Sequence, residues 1–300
     1  MIPEAFTRST IEREGEAGAT WLAELPGIVA ELMERWGCKP DGPVVHGRVG
    51  VVVPVQDAVI KVSFPHPGNV HEPDAFTAWD GQGAVRLYER DDERFAMLLE
   101  RVHPSTLAEL GAGDEIAAVA GSLSRRLSIP APPELPRLAD QADSWEDELR
   151  RGAADFPDAL PAAVVEAALA VVDELGRSQP DLLLHGDFHP RNILRAEREP
   201  WLAVDPKGYV GDPAYDGGTL LKPRALALID SADLTKALQR ELDVFAEAAE
   251  LDRERVRRWA HLQLVQAAFH GRRYGFGRAR SGPLLDRIIA LADQLAVSWC

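Results

Sequence analysis

The chain has 300 residues, of which 46% are hydrophobic and 27% charged, and its formal net charge is −15 at pH 7. This composition is typical of a folded globular protein, and the acidic balance argues against a nucleic-acid-binding surface, which needs clustered Lys and Arg. With two cysteines and no apolar run of the ~18–20 residues that a membrane span requires, the sequence predicts neither a disulfide framework nor a membrane partner. The N-terminal stretch is polar and acidic, unlike a secretory signal, so we expect a soluble, cytoplasmic protein.

The first hundred residues combine an early helix with several strands. Apolar residues recur at helical spacing over about residues 20–36, interrupted by Pro26-Gly27. Short β-branched and apolar runs punctuated by Gly, Pro and Asp then predict a strand meander. One short helix interrupts that meander. The predicted strands cover residues 44–45, 49–55, 58–64, 84–88 and 95–99, and the helix covers residues 69–80.

After residue 101 the pattern becomes mainly helical. Helices are predicted over residues 114–127, 158–177, 233–250, 253–275 and 283–299, and short strands over 182–184 and 201–204. A strand-rich part followed by a helix-rich part predicts an α+β fold with two lobes, residues 1–101 and 102–300. Because clefts between lobes often bind ligands, we expect the functional site there.

Polar side chains cluster at the ends of the two short strands. His185, Gly186 and Asp187 follow the first strand, Asn192 comes five residues after Asp187, and Asp205 follows the second strand. Carboxylate and amide oxygens in such loops can converge, and they suit Mg²⁺, which keeps other positions for water and phosphate. A zinc hydrolase site of His185, Asp187 and His189 is the rival interpretation, but Gly186 and Pro190 make a helical pair of zinc ligands implausible.

The segments HGDFHPRN and WLAVDPKGYVGDPAYD, at residues 185–192 and 201–216, resemble the catalytic loop and metal-binding segment of the aminoglycoside phosphotransferase family. The similarity is greatest to the streptomycin 6-kinase and hydroxyurea-resistance kinase branch. It implies a protein-kinase-like bilobal fold, with Asp187 as catalytic base and with Asn192 and Asp205 as Mg²⁺ ligands. It also implies that His185 and Gly186 shape the loop and that Asp216 braces the helical lobe.

The strand AVIKVSF carries Lys61 between apolar neighbours. Only five lysines occur in the chain, so a lysine in this setting invites a chemical explanation. The resemblance implies that Lys61 contacts the nucleotide phosphates and pairs with Glu72, and that residues 98–102 form the hinge that reads the purine of ATP or GTP. A Gly-rich phosphate loop is missing, because the hairpin of residues 46–55 offers only Gly47 and Gly50.

The sequence therefore predicts an enzyme that transfers phosphate from ATP or GTP, with Mg²⁺, to a hydroxyl group of a cationic, streptomycin-like aminoglycoside. Two alternatives stay open. One is a metabolic kinase of the same fold that acts on a sugar, an amino sugar or another small hydroxyl compound. The other is a nucleotide-binding pseudoenzyme or interaction module, against which the joint presence of Lys61, Asp187, Asn192 and Asp205 argues.

Overall fold

The structure is a computed structural model that describes residues 2–276 and 279–299. The chain divides into two compact units, Met1–His103 and Pro104–Cys300. The sequence pattern places this division two residues earlier, between residues 101 and 102. Within the described residues, no helix combines the length and apolar character needed to span a membrane.

The N-terminal unit is built on a five-stranded antiparallel sheet with the strand order β1-β2-β3-β5-β4. A long helix, α1, precedes the sheet, and a short helix, α2, lies between the third and fourth strands. The bounds of these elements are α1 Glu4–Arg35, β1 Val45–His46, β2 Gly50–Val55, β3 Ala58–Ser63, α2 Glu72–Trp79, β4 Leu87–Asp91 and β5 Ala96–Glu100.

Helix α1 covers one face of this sheet. Its buried side chains, including Trp21, Leu25 and Leu32, join one apolar core with alternate residues of β2 and β3 such as Val53 and Ile60. Because strand side chains alternate between the two faces, the intervening residues lie on the opposite face, which α1 leaves uncovered. Lys61 is on that opposite face, on which its ammonium group binds Glu72 of α2.

Helix α1 begins much earlier than the sequence pattern predicts. The structure is helical from Glu4, with non-helical backbone only at Gly15, and it continues through Pro26 without a break in assignment. The early segment is polar and contains glycine, so it carries no clear apolar stripe. Its helix is nevertheless anchored by Phe6, which is fully buried in the core.

The C-terminal unit is mainly helical and contains two two-stranded antiparallel sheets, β6 with β9 and β7 with β8. Its helices are α3 Gly113–Leu127, α4 Ala142–Asp155, α5 Ala162–Val171, α6 Tyr215–Ala227, α7 Leu234–Ala248, α8 Arg253–Tyr274 and α9 Pro283–Ser298. Its strands are β6 Leu182–Leu184, β7 Ile193–Arg195, β8 Trp201–Ala203 and β9 Tyr209–Gly211.

Helix α6 has no counterpart in the sequence-based prediction, because Gly217, Gly218 and Pro223 are poor helix formers. The structure gives the two glycines a packing role. A Cβ atom at Gly217 would lie 2.6 Å from Cγ1 of Val256, and one at Gly218 would lie 2.7 Å from the side chain of Gln263. Both contacts are with α8, so the glycines allow α6 and α8 to pack closely.

Candidate active site

The loop between β6 and β7, residues 185–192, is held by a carboxylate from α6. Oδ2 of Asp216 accepts a hydrogen bond from the backbone N–H of His185, and Oδ1 accepts one from the N–H of Gly186, each at 3.0 Å. Asp216 is only 2% exposed. Burial raises the pKa of Asp216 to about 7, while the two amide donors oppose that rise.

Gly186 is required for the path of this loop. Its φ of 80° lies in the left-handed region, where a side chain is strained. In addition, a Cβ atom there would lie only 2.7 Å from Cδ2 of Tyr209. The chain therefore turns sharply between His185 and Asp187 and passes close to β9.

His185 connects the loop to the segment after β8. Its side chain is fully buried, and burial lowers the pKa of His185 to about 3, so the imidazole is neutral at pH 7. In the neutral ring, Nε2 donates a hydrogen bond to the carbonyl oxygen of Val204 at 2.9 Å, and Nδ1 accepts one from the N–H of Asp187 at 3.3 Å. Both ring nitrogens are engaged, so the rival interpretation of His185 as a zinc ligand is wrong.

Asp187 directs its carboxylate toward solvent. The side chain is 39% exposed, and Nε2 of His189 lies 3.9 Å from Oδ1. The backbone of Asp187, in contrast, is fixed, because its carbonyl oxygen accepts a hydrogen bond from Nδ2 of Asn192 at 3.0 Å. The loop thus presents an accessible carboxylate on a constrained backbone.

Asn192 and Asp205 flank the open end of the β7–β8 hairpin. Ile193 pairs with Ala203 in this hairpin, and just beyond that pair the N–H of Val204 donates to the carbonyl oxygen of Asn192 at 2.9 Å. Asp205 follows with a φ of 61°, an uncommon left-handed conformation for a residue with a side chain. The structure therefore brings these two predicted metal ligands to one hairpin end.

The donor set of this hairpin end suits a hard cation. Among the residues that the structure describes, no cluster of three His, Cys, Asp or Glu side chains could by itself hold a metal ion. An amide and a carboxylate oxygen are a small donor set, and such a set fits Mg²⁺, which takes its other ligands from water and phosphate. Asn192 and Asp205 are consistent with that chemistry.

In the N-terminal unit, Lys61 and Glu72 form a direct ion pair. Nζ of Lys61 lies 2.5 Å from Oε1 of Glu72, and the two side chains are only 12% and 1% exposed. Glu72 is the first residue of α2, and Lys61 stands in the middle of β3, opposite Val52 and Met97 in the neighbouring strands. The structure thus brings together the two residues that the sequence pairs.

The sheet face around Lys61 is partly open. Val52, Pro54 and Val59 share that face and are half-buried, whereas their neighbours in the strands are covered by α1. An apolar, partly accessible surface beside a lysine could hold a flat ring system and its phosphates.

Sequence reasoning did not identify the contributions of two α6 residues to the site. Oγ1 of Thr219 accepts a hydrogen bond from the N–H of Phe188 at 2.9 Å, next to Asp187. Lys222, one turn further along α6, interacts electrostatically with Asp187. No sequence signal predicts the Thr219 hydrogen bond or the proximity of Lys222 to Asp187, because both depend on a helix that the pattern does not predict.

Known proteins with similar sequences are kinases and phosphotransferases. The family model described as aminoglycoside/hydroxyurea antibiotic resistance kinase matches residues 35–275. Streptomycin 6-kinase from Streptomyces glaucescens is 36% identical over 274 residues, which cover 89% of this chain and 89% of that protein. Hydroxyurea phosphotransferase from Kitasatospora aureofaciens is also 36% identical over 274 residues, covering 88% of this chain and 78% of that protein.

A solved structure supports the fold. The structure of aminoglycoside phosphotransferase APH(3'')-Id from Streptomyces rimosus in complex with ADP and streptomycin matches with a TM-score of 0.51 and 20% identity, covering 81% of this chain and 98% of that chain. The predicted α+β, protein-kinase-like fold is confirmed, as is the prediction of a phosphotransferase. The chain belongs to the aminoglycoside/hydroxyurea antibiotic resistance kinase family.

Proposed function

We propose that this protein transfers the γ-phosphoryl group of ATP or GTP, with Mg²⁺, to a hydroxyl group of a streptomycin-like aminoglycoside. The observation that carries the proposal is the loop of residues 185–192. It fixes the backbone of Asp187 while its carboxylate stays exposed, and it ends beside two oxygen ligands, Asn192 and Asp205. Phosphoryl transfer requires this combination, because it depends on positioning and charge neutralisation more than on covalent chemistry.

The reaction assigns one task to each side chain. Asp187 accepts a hydrogen bond from the acceptor hydroxyl, orients its oxygen toward the γ-phosphorus and takes its proton as the new bond forms. Asn192 and Asp205 would hold Mg²⁺, which when bound neutralises charge on the phosphate oxygens. The buried, neutral His185 keeps the loop in shape without competing for that proton.

The nucleotide would bind through residues 1–101. Lys61, oriented by Glu72, contacts the phosphates, and the half-buried apolar face around Lys61 receives the purine and ribose. Backbone groups of residues 98–102 read the purine edge. The acceptor would then bind to residues 102–300, which carry Asp187. Lys61, Asp187, Asn192 and Asp205 would thus share one substrate, the triphosphate with its Mg²⁺.

The acceptor is inferred from the relatives. The alignment with streptomycin 6-kinase covers 89% of that protein, which favours a streptomycin-like aminoglycoside. A second candidate, a small hydroxyl compound such as hydroxyurea, has a specific observation in its favour, because hydroxyurea phosphotransferase is equally similar at 36% identity. The strongly acidic chain, with a net charge of −15, favours the cationic acceptor.

The test is a Mg²⁺-dependent turnover assay with ATP or GTP and with streptomycin or hydroxyurea as acceptor. Asp187→Asn is expected to lower kcat by about 10²–10⁴-fold, the usual contribution of a general base, while ADP binding by calorimetry stays unchanged. Asp233→Asn is a matched control, because Asp233 is exposed and its side chain caps no helix N–H.

Each outcome separates the candidates. Transfer to hydroxyurea but not to streptomycin would select the second candidate. Full activity in Asp187→Asn would refute the assigned base. ADP binding without transfer to any hydroxyl compound would favour a nucleotide-binding module instead of an enzyme.

A further inference from the structure

Helix α6 directs a lysine toward the loop of residues 185–192. Successive residues of an α-helix are rotated by about 100°, so Lys222 lies about 60° from Thr219, whose Oγ1 accepts a hydrogen bond from the N–H of Phe188. Arg224 lies about 160° from Lys222 and is bound on the other side, to both carboxylate oxygens of Glu241 in α7 at 2.8 Å. Lys222 therefore shares the side of α6 that faces the loop.

The charge of Lys222 lies within electrostatic range of Asp187. The residue as a whole is exposed, yet burial lowers the pKa of its ammonium group, and the carboxylate of Asp187 opposes that shift. No carboxylate of residues 2–276 or 279–299 is close enough to form a salt bridge with Lys222, so the attraction to Asp187 acts across a gap. That gap is next to the atom that takes the acceptor proton in the proposed reaction.

The choice of lysine at this position is notable in this chain. Five lysines stand among 33 basic residues, and Lys61 is already committed to an ion pair with Glu72. Lysine offers a compact, mobile point charge that can follow a moving phosphoryl group, whereas the guanidinium group of arginine is a planar fork. Most other basic positions of the chain are arginine, so a lysine at position 222 calls for a chemical reason.

We propose that Lys222 is a further catalytic residue, which binds the phosphoryl oxygens as the phosphoryl group arrives on the acceptor hydroxyl. This inference rests on the proposed function and deepens it. In the step concerned, the bond from the γ-phosphorus to the nucleoside diphosphate oxygen breaks and a bond from phosphorus to the acceptor oxygen forms. The hydroxyl proton passes to Asp187 and then to solvent, which leaves a nucleoside diphosphate and a phosphate monoester.

The physical need for such a cation comes from Asp187 itself. The base must stand next to a phosphoryl group of the same charge sign, so the two repel each other when the acceptor is in place. A cation that attracts both offsets this repulsion, and it does so most when the phosphoryl group is nearest to Asp187. The benefit is therefore expected in the transition state more than in substrate binding.

The experiment compares Lys222→Met and Lys222→Arg with Lys236→Met, a control on an exposed lysine of α7. For Lys222→Met we expect kcat to fall by about 10–100-fold, somewhat less than the loss of an enclosed oxyanion donor, while both KM values and ADP binding change by less than about threefold. Lys222→Arg should restore part of kcat, and Lys236→Met should match the wild type. The thermal midpoint should not fall, because burial disfavours the charge of Lys222 and no carboxylate of the described residues forms a salt bridge with it.

The wild-type enzyme is assayed first, with streptomycin and with hydroxyurea. Absence of transfer to both would overturn the proposed acceptors. Lys222 would then be judged on the slow hydrolysis of ATP, in which water replaces the acceptor. An unchanged kcat in Lys222→Met would overturn the inference. A change of that variant in KM alone would also overturn it, and so would a higher kcat of that variant with cationic streptomycin. A wild-type enzyme with neither transfer nor hydrolysis would overturn both proposals.

Discussion

The two units use a buried carboxylate in different ways. Glu72, in the first turn of α2, binds the side chain of Lys61 through an ion pair. Asp216, in the first turn of α6, binds the backbone N–H groups of His185 and Gly186. A side chain can leave its partner by rotating, whereas a backbone segment can leave only if the loop changes shape. The Lys61–Glu72 pair thus orients a side chain, whereas the Asp216 contacts fix the backbone of the Asp187 loop.

This difference suits the tasks proposed for the two sites. A lysine that contacts phosphates tolerates small adjustments, because its charge acts through space and its stem is flexible. A general base must instead stay within hydrogen-bond reach of one hydroxyl, where small misplacements are costly. The contrast predicts that damage to the Asp216 contacts affects stability and turnover together, whereas damage to the Lys61–Glu72 pair affects mainly nucleotide use.

The largest effect is expected for Asp216→Ala. The substitution leaves the buried N–H group of His185 and the partly buried N–H group of Gly186 without their acceptors. At about 1–3 kcal/mol for each group, the free energy of unfolding should fall by about 2–6 kcal/mol, and turnover should fall at least about 100-fold as Asp187 loses its position. Calorimetry and steady-state kinetics measure the two losses. A loss of stability without a loss of turnover would show that the Asp216 contacts do not position Asp187.

A pH series on the same residue sharpens the result. The pKa of Asp216 is raised by burial from 3.8 to about 7, so the folded protein holds this proton more tightly than the unfolded chain. The stability contributed by Asp216 should therefore be greatest below about pH 4 and fall as the pH rises toward 7. Thermal midpoints of wild type and Asp216→Asn at pH 5 and pH 8 test this. The advantage of the wild type should shrink at pH 8, and a larger advantage there would contradict the assigned shift.

The Lys61–Glu72 pair should give a smaller effect of another kind. Lys61→Met removes a charged phosphate contact of about 1.5–3 kcal/mol, so kcat/KM for the nucleotide should fall by about 10–100-fold, with a smaller loss for Glu72→Gln. The double variant should lose less than the sum of the two, because both act through one contact. Fully additive losses would show that Glu72 does not act through Lys61.

The sequence predicts the parts of this molecule that have local patterns. Apolar stripes predict α7, α8 and α9 to within a few residues, and the HGDFHPRN string locates Asp187 and Asn192. Helix α6 escapes prediction because Gly217 and Gly218 serve its packing against α8 and oppose its local helix propensity. The proximity of Lys222 to Asp187 is not predicted either, since it depends on α6 and no local pattern encodes it.

The smallest effect is expected for Thr219→Val, which keeps the shape of the side chain and removes its hydroxyl. Oγ1 of Thr219 accepts a hydrogen bond from the N–H of Phe188 and donates one to the carbonyl oxygen of Asp216, each at 2.9 Å. One buried N–H loses its acceptor, so the free energy of unfolding should fall by about 1–3 kcal/mol. Urea denaturation of the variant measures this loss.

The control for this variant is Thr235→Val, whose hydroxyl accepts an exposed bond from Gln294 at 3.3 Å and whose loss should stay within about 0.5 kcal/mol. Turnover of Thr219→Val should fall less than that of Asp216→Ala, because the N–H groups of His185 and Gly186 keep Asp216 as their acceptor. If turnover falls equally in both variants, the loop is fixed by the Phe188 contact as much as by Asp216. The loop would then be held by several residues on the side of α6 that faces it, and the comparison with Glu72 would no longer concern Asp216 alone.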